Sequence, residues 1–129
     1  MEINYLAVVV AAVAAFIFSG IWYGMFGSRL TELHPAYADS TALSAKDVVV
    51  ELARNLVVAA VLAGLANQIG IENWAGAALL ALALWVGIVV VLLAGSVYHE
   101  KVAVKLAAIH AGDWLLKLAA IAIIVEVWP

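Results

Sequence analysis

Asp113 and Lys117 stand one helical turn apart in a run, Val102–Val127, that is otherwise built almost wholly from Ala, Leu, Ile and Val. A carboxylate and an ammonium at i, i+4 share a helix face, where they can pair or exchange a proton. His110, three residues before Asp113, adds the side chain that titrates nearest neutrality, suited to a proton relay. A second polar group lies in another apolar run, with Glu51 and Arg54 at i, i+3 and Glu51 and Asn55 at i, i+4. Ser19 is the polar residue of the first run. Glu51, Arg54, Asp113 and Lys117 sum to zero charge, as a self-neutralising buried network requires. Each such ion in a lipid-spanning helix costs roughly 2.5–3.5 kcal/mol by insertion scales, so these groups must face protein or water.

Other chemistries find little support. The chain has no Cys, which removes thiolate nucleophiles, disulfides and cysteine-based metal sites. His99-Glu100 opens like a zinc-protease motif, but the next histidine is His110, eleven residues on rather than four. His34 beside Pro35 reads as a solvated loop histidine. Ser19 and Ser96 lack an adjacent His–carboxylate arrangement, and neither a phosphate-cradling loop nor a dinucleotide fingerprint occurs. No catalytic residue, metal or cofactor is expected, and a net charge of −3, spread along the chain, argues against nucleic acid as a partner.

The elements that position these residues are hydrophobic spans. Of 129 residues, 68% are hydrophobic and 12% charged, against about 25% charged in soluble domains, so the partner is the lipid bilayer. A span needs about 20 apolar residues, and four segments qualify: Ile3–Phe26, Val48–Ile69, Trp74–Tyr98 and Val102–Val127. The first is too long for a signal-peptide core, and Met1-Glu2 is not a basic leader. One four-helix transmembrane domain over residues 1–129 is therefore expected, all-α and up–down, with spans 2, 3 and 4 as antiparallel neighbours and span 1 beside them. Gly27–Asp47 reads as a long loop, and Ser44 with Asp47 has capping-box spacing that starts a helix near Ala45. Arg29, Lys46 and Arg54 lie in or near the first connection and Lys101 and Lys105 flank the third, whereas the second connection and both chain ends have no basic residue. The positive-inside rule then puts both termini on the outer side. Trp22, Tyr23, Trp74, Tyr98 and Trp128 fall at span ends as interfacial anchors, leaving Trp85 and Trp114 as mid-membrane packing residues.

Small residues permit the close helix contact that association in lipid needs. They recur as Ala7, Ala11, Ala15 and Ser19 on span 1, beside a GxxxG at Gly20 and Gly24. Span 2 offers Ala59/Ala63 and Ala60/Gly64, span 3 Ala83/Gly87 and Gly95, and span 4 Ala107/Ala111 and Ala108/Gly112. Packing within the chain is the expected use of these seams. Counting residues from the span ends puts Ser19, Glu51, Arg54, Asn55, His110, Asp113 and Lys117 in one layer of the inner half. Equal depth then predicts Arg54–Asp113 as the main interhelical pair, with Glu51 near His110 or Lys105.

Three short motifs, Asn4-Tyr5-Leu6-Ala7-Val8, Gly20-Ile21-Trp22-Tyr23 and Ile109-His110-Ala111-Gly112-Asp113-Trp114-Leu115, occur in that order. In these the chain resembles, over essentially its whole length, the small bacterial membrane family catalogued as domain of unknown function 1761. The resemblance implies a multi-pass, four-helix protein of the bacterial inner (plasma) membrane and brings no established activity or catalytic residues. It also implies that relatives carry Asn at the position of His110 and an aromatic at that of Asp113, so that Trp22-Tyr23 is the better family mark, as an interfacial anchor.

The expected function is a non-enzymatic membrane protein, a homo-oligomer or the accessory subunit of a membrane-protein partner, with a buried polar network of Glu51, Arg54, Asn55, His110, Asp113 and Lys117. The alternative is a small proton- or ion-coupled transporter or channel using Asp113, Lys117 and His110. A membrane enzyme ranks third.

Overall fold

The computed structural model describes residues 3–33 and 44–128; His34 and most of the long connection lie outside the described residues. The described chain is helical: α1 (Tyr5–Met25), a short α2 (Gly27–Leu33), α3 (Ala45–Ile69), α4 (Trp74–Glu100) and α5 (Val104–Val127). Among the described residues, four helices, all but α2, are long and apolar enough to cross a membrane. Three of the four begin at a side chain that accepts from their unpaired N–H groups, whereas α5 starts at Ala103 with no side-chain cap. Asn4 caps α1 by accepting from the Ala7 N–H, and Asn73 caps α4 by accepting from Gly76. Ser44 and Asp47 form the expected reciprocal capping box, so α3 starts at Ala45. Gly70, at φ 82°, ends α3 in the left-handed conformation that glycine adopts without a Cβ penalty.

Contacts at both ends define the directions. Asn4 reaches the Trp128 carbonyl while Trp22 reaches that of Ile109, so α1 and α5 run antiparallel. Ile3 lies by Gly64 and Asn55 by Ala12, so α1 and α3 are antiparallel as well, which makes α3 parallel to α5. The basic residues Arg29, Lys46, Lys101 and Lys105 thus share one end of the bundle, here the basic end, and the chain termini share the other.

The packing departs from the expected order of neighbours. α5 is the hub, lying against α1, α3 and α4, while α1 also packs along α3. α3 and α4, although joined by a tight turn, hardly meet. Short links set direction, but side-chain size sets contact. The predicted seam of α1, Ala7, Ala11, Ala15 and Ser19, is buried throughout. On α4, however, the buried small residues are Ala77 and Ala81, whereas Ala83 and Gly87 face outward. Gly20 and Gly24 likewise have no neighbour within 4 Å of an added Cβ, so the GxxxG of α1 packs against nothing among the described residues. The main core joins Val8, Ala11 and Ala15 to Ala59 and Leu62, Ala77 and Ala81, and Leu118, Ile121 and Ala122.

Two features escaped the sequence. The start of the expected loop is the helix α2, whose Leu30 is buried on Leu106 and Ile109 at the basic end. About two turns are too few to show a hydrophobic period. The second is a π-helical stretch, Trp85–Val90, in the middle of α4. Such turns have no composition signature, and tertiary contact makes them.

Because Ala81 is buried against the core and Ala83 is exposed, Ala81→Leu should overpack and destabilise the bundle by about 1–3 kcal/mol, with Ala83→Leu near neutral. Reversible unfolding of both variants in lipid–detergent micelles measures the difference; equal effects would refute this assignment of the α4 contact face.

Candidate functional site

Charged and polar side chains from three helices meet inside the bundle. Asp113 and Lys117, on the inward face of α5, are 1% and 4% exposed. The Ser19 hydroxyl of α1 donates to Asp113 Oδ1 at 2.5 Å, and Lys117 Nζ lies 3.1 Å from Asp113 Oδ2. Lys117 Nζ also lies 3.9 Å from Glu51 Oε2 on α3, and Glu51 Oε1 accepts from Arg54 at 2.5 Å. The result is a chain of alternating charge, Asp113–Lys117–Glu51–Arg54, that joins α1, α5 and α3 and ends at a side chain 55% exposed. Asn55, buried beside it, donates to the Ala12 carbonyl at 3.4 Å and so ties α3 to α1. Among the described residues, no buried side-chain nitrogen or oxygen lacks a hydrogen-bond partner.

This pairing differs from the one that equal depth predicts. Arg54 and Asp113 each stand nine residues into their helices, α3 (Ala45–Ile69) and α5 (Val104–Val127), yet they do not meet. Glu51, six residues in, meets Lys117, thirteen in, so the parallel helices contact with a stagger of seven residues, about 10 Å at 1.5 Å per residue. Part of this is lysine's reach. Helix side chains lean toward their own N-terminus, so the Lys117 stem carries its ammonium back toward Asp113 and Glu51. Arg54, one position before the inward-facing Asn55, turns to the outside of α3 and pairs with Glu51.

His110 is not part of that chain of charges. Its Nδ1 is 2.6 Å from the Tyr23 hydroxyl, at the border of the bundle. Trp22, next to Tyr23, donates its indole N–H to the Ile109 carbonyl at 2.8 Å. From the opposite side, Trp85 of the π-helical turn donates to the Ala111 carbonyl at 2.7 Å. A helix carbonyl has a second lone pair to accept with. Two indoles from α1 and α4 therefore grip the turn of α5 just before Asp113. The Trp114 ring lies 4.7 Å from Lys117 Nζ, so this aromatic faces a cation as well as the core.

Gly112 makes the grip possible. A Cβ there would come within 2.2 Å of Trp22 Cζ2. Trp22 and Tyr23, expected at the interface, thus dock α1 onto α5, while Trp74 and Tyr98 stay largely exposed at helix ends and Trp128 caps α5. The sequence signal for this contact was present: Trp22-Tyr23 and the run Ile109–Leu115 are two of the three motifs behind the family resemblance. What it lacked was their spatial adjacency. Among the described residues, no three His, Asp or Glu side chains converge as a metal ion would need.

Asp113→Leu leaves a buried ammonium with only a distant carboxylate and should cost about 3 kcal/mol or more, whereas Asp113→Leu with Lys117→Leu should recover most of it. Ser19→Ala should fall between, at roughly 1.5–3 kcal/mol for a lost hydrogen bond to a charge. Chemical denaturation in micelles orders the three; a double variant worse than the single one would reject the pairing. Gly112→Ala should destabilise by about 1–3 kcal/mol and be relieved by Trp22→Ala in the same chain, read out by a double-mutant cycle.

No curated protein and no solved structure matches the chain. A family model does, over residues 6–126, and it takes in both halves of the Trp22–Gly112 contact and every member of the charged chain. The protein belongs to the family described as Protein of unknown function (DUF1761).

Proposed function

We propose that this is a non-enzymatic multi-pass protein of the bacterial inner membrane. In this reading it acts as a homo-oligomer or as the accessory subunit of a membrane-protein partner, and its polar network holds helices in register rather than moving a substrate. The basic end faces the cytoplasm and both termini lie outside, following the distribution of Arg29, Lys46, Lys101 and Lys105. One observation carries the structural role: Asp113 and Lys117, the deepest charges, are almost fully enclosed and directly paired, with Ser19 and Glu51 as their outer partners. Grooves of about 410 and 180 Å³ open at the terminal end, around Ile3, Gly64, Ala66 and Asn67, away from that pair. Buried polar groups of this kind select one register among many similar apolar packings.

A small transporter or channel using Asp113, Lys117 and His110 is the second reading. It draws on the alternating charges that lead outward from Asp113 to the exposed Arg54.

Purified protein in vesicles holding a pH-sensitive dye should give proton flux indistinguishable from protein-free vesicles under an imposed potential. Flux above that background that disappears in Asp113→Asn would overturn the structural reading in favour of transport.

A further inference from the structure

The Glu51–Arg54 pair is in an unexpected place for ions on a transmembrane helix. Intramembrane charges ordinarily face the bundle interior or water. Here the Arg54 side chain is 55% exposed and Glu51 32%, on the outer surface of α3. Val50, Val57 and Val61 share that surface with Arg54 by helical spacing, and all three are exposed. Among the described residues, Glu51 is the one acceptor the guanidinium reaches, which leaves most of its five N–H donors toward the lipid side.

Depth decides what can cover them. Glu51 meets Lys117 beside Asp113, which stands nine residues, about 13 Å, from the start of α5. A helix of 24 residues is about 36 Å long against a hydrocarbon core of about 30 Å, so each end projects by about 3 Å. The exposed pair then lies about 10 Å inside the hydrocarbon, too far in for a phosphate at the bilayer surface to reach it. The partner must be a protein acceptor at the same depth. A two-fold axis along the bilayer normal supplies one, because it places identical residues of two copies level with each other. Arg54 leans toward the N-terminus of α3, to the level of residue 51, so the acceptor facing it across such an axis is a second Glu51.

We propose that two copies of this chain associate through the Val50–Arg54–Val57–Val61 face of α3. Each Arg54 bridges its own Glu51 and Glu51 of the partner subunit. The two ion pairs close into a neutral ring of four alternating charges, which extends the intrachain network through Lys117 to Asp113 in both copies. This inference rests on the homo-oligomeric reading above and names its interface.

The absence of cysteine makes the test direct. Val50→Cys, Val57→Cys and Val61→Cys probe this face, with Ile17→Cys on α1 and Val86→Cys on α4 as exposed controls. Oxidation in dilute vesicles should yield disulfide-linked dimer from the α3 positions and little from the controls. Adding Arg54→Leu should weaken association about tenfold, with Arg54→Lys recovering part of it. Dimers that cross-link at Ile17 or Val86 and not on α3 would overturn this interface while leaving the homo-oligomer intact. A chain monomeric in vesicles, with neither set cross-linking, would remove both. A monomer that retains anionic lipid only while Arg54 is present, seen by native mass spectrometry, would replace the second copy with a lipid headgroup.

Discussion

The constraint that organises this protein is electrostatic: a carboxylate and an ammonium lie in helices that have no water to turn to. Asp113 and Lys117 meet it first on their own helix, one turn apart, and then through Ser19 of α1 and Glu51 of α3. Because each partner sits on a different helix, satisfying the charges aligns three helices at one level. Apolar packing alone would not do so. Against lipid, one arrangement of alanines and valines is nearly as good as another, whereas a buried ion without its counter-ion costs several kcal/mol. In the proposed reading the polar chain acts as a registry key that the apolar contacts alone would not supply.

Around that key the helices approach closely by two different means. α1 lies in its groove through the small residues Ala7, Ala11, Ala15 and Ser19, and then changes character at Trp22. That indole needs the space an absent Cβ leaves at Gly112, and it spends its polar N–H on a carbonyl of the same turn. Trp85 repeats the device from α4. A large aromatic donor against a glycine–alanine turn combines wide contact area with a directed hydrogen bond, which an aliphatic residue does not provide. It is fitting that the wide-open π-helical turn of α4 carries one of these donors, since such a turn re-aims side chains that a regular helix would present elsewhere.

α4 is held by α5 and hardly by α3, which leaves its far side and much of α3 uncovered among the described residues. The smallness of the molecule accounts for this: with one hub helix, three others cannot all touch each other. That uncovered surface carries the exposed Glu51–Arg54 pair, which the proposed association of two copies would cover.

Much of this was legible in the residues. The four long apolar helices, the Ser44–Asp47 capping box and the small-residue face of α1 all depend on chemistry within a few neighbouring positions, and each matches the structure. The pairing of Asp113 with Lys117 is likewise local, because an i, i+4 relation on one helix does not depend on how helices stack. Orientation across helices could not be read in that way. The rotation of α3 that turns Asn55 inward sends Arg54 outward, and the seven-residue stagger between α3 and α5 brings Glu51 to Lys117; both follow from how four surfaces fit together. The choice of Ala77 and Ala81 over Ala83 and Gly87, and the docking of Trp22 on Gly112, were decided the same way. Sequence spacing determines what shares a helix face; only the packed structure determines what that face meets.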